Sequence, residues 1–294
     1  IQVGPGAGTG TSTGTSTGNG AGTGTGTGTG INIPEDTNDT TTNKKALLIG
    51  INYTGTRNAL NGCINDVTLI EKQLISDFNY KIENIVKLTD NTSTKPTRIN
   101  IIHNIESLLS NAKEGDILFL SYSGHGINMA DFNNDEIDGQ DEGIFTIDEK
   151  GIWDDELKQI ITTNLKKDVT LIALFDNCYS GTILDLKYHY LNNSLDNKYV
   201  SVNDRLGETN GQVIVISGSR DNQTSSDAYF NGTFNGALTK FLIDVLKINK
   251  QKNSKLSWEE VIEKIREKSE KNNFSQIAQL SSGNILNITE KMYL

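Results

Sequence analysis

Only two cysteines, Cys63 and Cys178, occur in 294 residues. That scarcity excludes the disulfide framework of a small secreted domain and suits a reducing compartment, so a cytoplasmic location is expected. Basic residues are also in short supply, 27 Lys and Arg against 37 Asp and Glu, for a formal charge of −10. Such a field disfavours nucleic acid or an anionic membrane as partner and suits a cationic substrate. No apolar run approaches the roughly 20 residues that span a bilayer. Residues 1–30 show neither the basic start nor the apolar core of a signal peptide. With Ile1 rather than Met at the start, targeting stays open.

Glycine, by contrast, is concentrated at one end. From Gly4 to Gly30 every glycine falls on an even position, separated by Thr, Ser, Ala, Asn or Pro. A segment of this kind cannot bury enough apolar area to offset its ordering entropy, so a flexible tail is expected. A phosphate-cradling loop needs Gly-x-Gly-x-x-Gly or a terminal Gly-Lys-Ser/Thr. Strict alternation forbids the first, and the tail has no lysine for the second. Residues 31–43 are polar and extend the linker to residue 43. About 250 residues are left for one compact domain.

From Lys44 onward, short runs of Ile, Val, Leu and Phe alternate with helical periodicity, the pattern of βαβ units around a mostly parallel sheet. The expected class is α/β, with helices on both sheet faces. Strands are expected at Ala46–Ile51, Ile82–Leu88, Ile117–Tyr122, Val169–Phe175 and Val213–Ser217, mostly continuous apolar runs, as doubly covered strands should be. Helical stripes run through Val67, Ile70 and Leu74; Ile101, Ile105 and Leu108; Leu157, Ile160 and Ile161; and Phe234, Leu238, Phe241 and Val245. A final helix should open at Ser257, with Glu260 completing a capping box.

In an open parallel sheet the site lies beyond the carboxyl ends of the strands. Two of the most apolar runs end in unusual sequences. After Leu120 come Ser121, Tyr122, Ser123, Gly124, His125 and Gly126; after Phe175 come Asp176, Asn177, Cys178, Tyr179, Ser180 and Gly181. One loop offers a base and the other a thiol. A thiol of ordinary pKa, about 8.5, is largely protonated at neutral pH and needs a nearby imidazole to become a working nucleophile. The neighbouring glycines permit tight turns and let backbone amides approach a carbonyl. A lone Cys is usually a small buried hydrophobe and a lone His a packed structural residue. As a pair, position 125 to position 178, they stand 53 residues apart, near the separation of about 50 seen in caspase-like enzymes. His103 is expected to pack or lie at the surface, His189 to lie in a polar loop, and Cys63 to pack at a helix start.

Several ordered stretches together are similar to metacaspases. They are Ala46 to Tyr53, Gly62 to Asp66, Tyr122 to Gly126, Asp154 with Asp155, Asp176 to Leu186, and Ser217 to Asp227. The resemblance covers nearly all of 44–294 and is to the type I kind, with a caspase-like fold. It implies a large region at about 44–187, a short link at about 188–211 and a small region at about 212–294. It also implies a cysteine endopeptidase that cuts protein or peptide substrates after Arg or Lys. Cys178 would be nucleophile and His125 base, with the amides of Gly126 and Cys178 on the oxyanion. Asp66, Ser123 and Asp176 would line the pocket for the basic side chain. Carboxylates are the appropriate physical means of holding guanidinium or ammonium.

The resemblance further implies activation by calcium, with Asp141, Asp154, Asp155 and Asp185 as hard oxygen ligands. The alternative is that Asp154 caps the helix through Leu157 and Ile161, with Asp155 favoured by the helix dipole. An EF-hand over Asp131 to Asp141 is disfavoured because Glu136 stands where that loop needs Gly. Self-cleavage in the link is implied as well, with Lys187, Lys198 and Arg205 as basic candidates. A monomer is expected. Tyr179 follows the nucleophile where the family usually has His, and Asn177 precedes it where small residues are common. Two rival readings are a non-catalytic adaptor that binds basic peptides, and a caspase-like peptidase with acidic preference.

Overall fold

The computed structural model describes residues 42–130, 140–178, 180, 183–192, 198–218, 227–230, 232–251, 255–274 and 277–294. The Gly/Thr-rich tail, the acidic stretch 131–139, Tyr179 and residues 219–226 lie outside these. The described residues fall within one unit, Asn38–Leu294.

Five strands form the parallel part of the main sheet: β1 (Lys44–Gly50), β2 (Ile85–Thr89), β3 (Ile117–Ser123), β7 (Thr170–Asp176) and β10 (Gln212–Ser217). Between β3 and β7 the chain makes a separate antiparallel sheet of β4 (Gly126–Ala130), β5 (Gln140–Phe145) and β6 (Gly151–Trp153). The main sheet is completed by three antiparallel strands, β8 (Tyr188–Asn192), β9 (Lys198–Val202) and β13 (Gln279–Ser282), in the order β2-β1-β3-β7-β10-β13-β8-β9. A hairpin of β11 (Asp227–Phe230) and β12 (Thr233–Gly236) follows β10.

The helices are α1 (Cys63–Phe78), α2 (Arg98–Ser110), α3 (Asp154–Asn164), α4 (Ala237–Gln251) and α5 (Trp258–Lys271). Strand alternation divides the apolar side chains between two cores. Ala46, Leu48, Phe119, Ile172, Leu174, Ile214 and Ile216 face one way, against residues of α1, α4 and α5. Leu47, Ile49, Leu118, Leu120, Leu171, Ala173, Phe175, Val213 and Val215 face the other, against residues of α2 and α3. Both faces are dry, which is why these strands read as unbroken apolar runs.

Several expectations shift. Residues Ile82–Asn84 form a 3-10 turn, and β2 starts only at Ile85. Here the Asn84 side chain donates to Lys44 O at 3.1 Å and Ile82 is 65% exposed, so it has no place in a sheet core. Phe234 belongs to β12 rather than to the α4 stripe, which begins at Ala237. Leu109, not Leu108, fills the buried position of α2. His189 sits in β8 opposite Ser281 rather than in a loop. The segment taken as a link, 188–211, carries β8 and β9 of the main sheet. The Ser257–Glu260 capping box at α5 is present in both directions.

Candidate active site

Register fixes where the two chemical loops meet. Strands β3 and β7 are parallel neighbours, and Ser123 pairs with Asp176 at their carboxyl ends. His125 and Cys178 each lie two residues past that pair, so they leave the same sheet edge on adjacent strands, which run about 4.8 Å apart. Both side chains are half-buried. Only Gly124 and His125 separate β3 from β4, so the imidazole sits at a sharp junction between two sheets. The backbone of Gly126 presses on the nucleophile loop. A Cβ at Gly126 would lie 1.8 Å from Cys178 O and 2.8 Å from Asn177 Nδ2, so no side chain fits. Asn177 in turn donates to Cys178 O at 2.7 Å, and Ser180 Oγ donates to Asn177 O at 3.0 Å.

The imidazole has a defined orientation. Its Nε2 is 2.8 Å from the carbonyl of Asn58. A carbonyl only accepts, so Nε2 carries the proton of the neutral ring and Nδ1 is left as the basic atom. Residue Asn58 could not have been found in the sequence, because it acts through its main chain.

Asp66, Ser123 and Asp176 come together one layer below. Asp66, on the first turn of α1, and Asp176, at the end of β7, are 0% and 4% exposed. Asp66 accepts from Ser123 Oγ at 2.6 Å, from Asn235 Nδ2 at 3.0 Å and from the Gly236 amide at 3.0 and 3.1 Å. Asp176 accepts from the Thr239 amide at 2.8 Å. Burial first, and the Asp176 carboxylate second, push the Asp66 carboxyl well above the ordinary range; its hydrogen bonds pull the other way. Among the described residues, no cation pairs with Asp66. Asn235, Gly236 and Thr239 carry no sequence signal for this duty, since they lie on a short hairpin and a helix start far along the chain.

Three of the four aspartates taken as calcium ligands, Asp141, Asp154 and Asp155, line an open cavity of about 690 Å³ together with Trp153, Glu156 and Lys158, whereas Asp185 is not part of that lining. Asp154 is the first residue of α3 rather than its cap, which is Trp153. Its carboxylate accepts from the Glu142 and Asp155 amides, each at 2.8 Å. Burial above all, with Asp185 and Asp141 adding, pushes Asp154 up to about 7 against those two hydrogen bonds. Asp185 is held by Lys158 at 3.4 Å. Among the described residues, no group of three or more Asp, Glu, His or Cys side chains is arranged to hold a metal. The donor type nonetheless fits a hard cation. Burial accounts for most of the rise at Asp154, and Asp185 and Asp141 add a smaller push that a bound cation would relieve.

Of the remaining polar residues, His103 is exposed and Cys63 is buried at the start of α1. Neither Cys63 nor Cys178 is in a disulfide.

Comparison with known proteins agrees with this geometry. A family model for the metacaspase, peptidase C14 domain, matches residues 44–187. Metacaspase-1 of Schizosaccharomyces pombe is 34% identical over 301 residues, which cover 85% of this chain and 70% of that protein. Metacaspase-1 of Saccharomyces cerevisiae strain S288c is 33% identical over 306 residues, covering 87% and 70%. The solved protein GSU0716 of Geobacter sulfurreducens superposes with a TM-score of 0.61 at 24% identity, over 85% of this chain and 97% of that one, a likeness of fold. Family model and relatives together define the class, a cysteine-type peptidase, here built on a mostly parallel sheet flanked by helices. The chain belongs to the metacaspase family.

Proposed function

We propose that this metacaspase cuts peptide bonds after Arg or Lys, using Cys178 as nucleophile and His125 as base. The observation that carries the specificity is the buried Asp66–Asp176 pair, where Asp66 is held by neutral donors only, among the described residues. Burying two carboxylates together is costly unless a cation joins them, and a guanidinium or ammonium from the substrate supplies one. An acidic side chain would meet repulsion there, which opposes the reading of acidic preference.

In the reaction, Nδ1 of His125 takes the Cys178 proton and the thiolate attacks the carbonyl carbon of the basic residue itself. Amides of Gly126 and Cys178 stabilise the oxyanion, the imidazolium returns its proton to the leaving amine, and water hydrolyses the thioester. Asp141, Asp154, Asp155 and Asp185 would hold the activating calcium, whose charge neutralises their mutual repulsion. For self-cleavage we favour Arg205, which is exposed in the turn closed by Leu206 N to Asn203 O at 3.1 Å, whereas Lys187 is half-buried.

The test pairs fluorogenic peptides ending in Arg or Asp, with calcium or chelator, on wild type, Cys178→Ala and Asp66→Asn. Turnover of the Arg peptide alone, lost in both variants and in chelator, is expected. Equal cleavage of the Asp peptide would overturn the specificity. Mass spectrometry that found no new terminus after Arg205 would remove that residue as the self-cleavage site.

A further inference from the structure

Two buried tyrosines surround the base, and nothing in the family reading gives them a task. Tyr53 and Tyr122 are 2% and 1% exposed; Tyr53 lies three residues past the end of β1 and Tyr122 near the end of β3. The His125 amide donates to Tyr53 Oη at 3.0 Å, and Tyr53 Oη donates to Phe145 O at 2.7 Å. Tyr122 Oη lies 2.8 Å from His125 O, 2.8 Å from Phe145 O and 3.1 Å from Tyr53 Oη. Each phenol has one proton. With the Tyr53 proton on Phe145 O, the Tyr122 proton is left for His125 O, which also accepts the Phe145 amide at 3.0 Å, so each main-chain group of the base has a phenol among its partners. Burial holds both hydroxyls far above the ordinary phenol range, which keeps them donors at any working pH.

Their contact extends beyond the hydroxyls. The Tyr53 ring lies 4.9 Å from the imidazole, tilted 37°, and so limits its rotation. A Cβ on Gly124 would lie 2.5 Å from Tyr122 Oη and 3.0 Å from Tyr53 Oη, so the turn carrying His125 rests directly on the two phenols. Tyr53 also has φ +48, a left-handed conformation that is unusual and strained for a bulky residue. Asp90 maintains it by accepting the amides on either side, Asn52 N and Thr54 N, each at 2.8 Å. A strained residue held in place by a neighbouring loop and applied to a reactive ring is poor economy for a core and sensible for a site.

We propose that Tyr53 and Tyr122 are positioning residues for His125, holding its turn and its ring so that Nε2 stays on the Asn58 carbonyl and Nδ1 is presented to the thiol. The inference rests on His125 acting as base for Cys178.

Alkylation of Cys178 by iodoacetamide, followed by mass spectrometry from pH 5 to 9, reads the thiol without any substrate. It is run on wild type, Tyr53→Phe, Tyr122→Phe, His125→Ala and the control Tyr190→Phe. Tyr190 loses comparable buried bonds, to Ser282 Oγ and the Leu286 amide, away from the site. For His125→Ala the pH profile should move to that of an unassisted thiol, and for the two site phenylalanines it should move part of the way. With peptide substrate their kcat should fall on the order of tenfold to a hundredfold at little change in KM. Tyr190→Phe should lower only the melting temperature. If His125→Ala alters the profile while Tyr53→Phe and Tyr122→Phe keep both wild-type profile and kcat, the positioning role is wrong. If His125→Ala itself leaves the profile unchanged, the base assignment fails first. Should Tyr122→Phe not fold, Tyr53→Phe decides alone.

Discussion

Replacing Gly236 by Ala is the sharpest probe of the carboxylate pocket. Gly236 lies at the end of β12, and a Cβ there would sit 2.2 Å from Asp176 Oδ2 and 2.9 Å from Asp66 Oδ2. The closer contact is more than an ångström short of ordinary van der Waals separation, and neither carboxylate can step aside cheaply. Asp66 is tied to Ser123, Asn235 and the Gly236 amide, and Asp176 to the Thr239 amide. Moving the hairpin away stretches the Asn235 and Gly236 bonds beyond useful length; moving Asp176 breaks its bond to α4. Losing one charge-assisted bond costs about 1.5–3 kcal/mol, and crowding adds about 1–3 kcal/mol. If about 3 kcal/mol appears as lost binding of the basic side chain, kcat/KM for an Arg peptide drops by about two orders of magnitude. The thiol, two residues beyond Asp176, should keep its alkylation rate. Steady-state kinetics with a thermal melt and an alkylation assay separate the terms. A Gly236→Ala protein with wild-type kcat/KM would show that the two carboxylates do not form the specificity site.

The acidic cavity gives a pH prediction. The folded Asp154 carboxyl stands at about 7 against an ordinary 3.8, so its contribution to stability is whole below about 3.8 and is lost as pH rises through 7. In chelator, the melting temperature of wild type should therefore fall more between pH 5 and 7.5 than that of Asp154→Asn. Parallel curves would refute the assignment. Lys158→Gln frees Asp185 from its ion pair and should lower the calcium concentration for half-maximal activity, measured by titration of turnover. Ser257→Ala removes one half of the α5 capping box and should cost about 1 kcal/mol, a few degrees of melting temperature, with kcat unchanged.

The parallel half of the sheet was legible because strands covered on both faces must be apolar throughout; Leu171 to Phe175 could hardly be anything else. Helices α1 and α3 were equally clear from their stripes. The small sheet β4–β6 and the hairpin β11–β12 were not, because their strands are short and interrupted by polar residues and glycines, and Phe234 on the hairpin mimicked a helical repeat. At the site, the chemistry-bearing side chains announced themselves by type and position after strands. What supports them did not. Asn58 works through a carbonyl, Tyr53 through a left-handed turn fixed by Asp90, and Asn235 through a bond to Asp66, 169 positions away. Main-chain donors and long-range neighbours leave no periodic mark.

The place of β8 and β9 changes what a cut near Arg205 could achieve. These strands lie outside β13, while β7 lies on the other side of β10. The pieces made by such a cut would therefore alternate across the sheet, each holding strands hydrogen-bonded to the other. Scission would release the ends of one surface turn and leave the body joined, as splitting a woven strap frees its fringe without parting the weave. The product would be told from its precursor by the freedom of its loops, not by its size in solution.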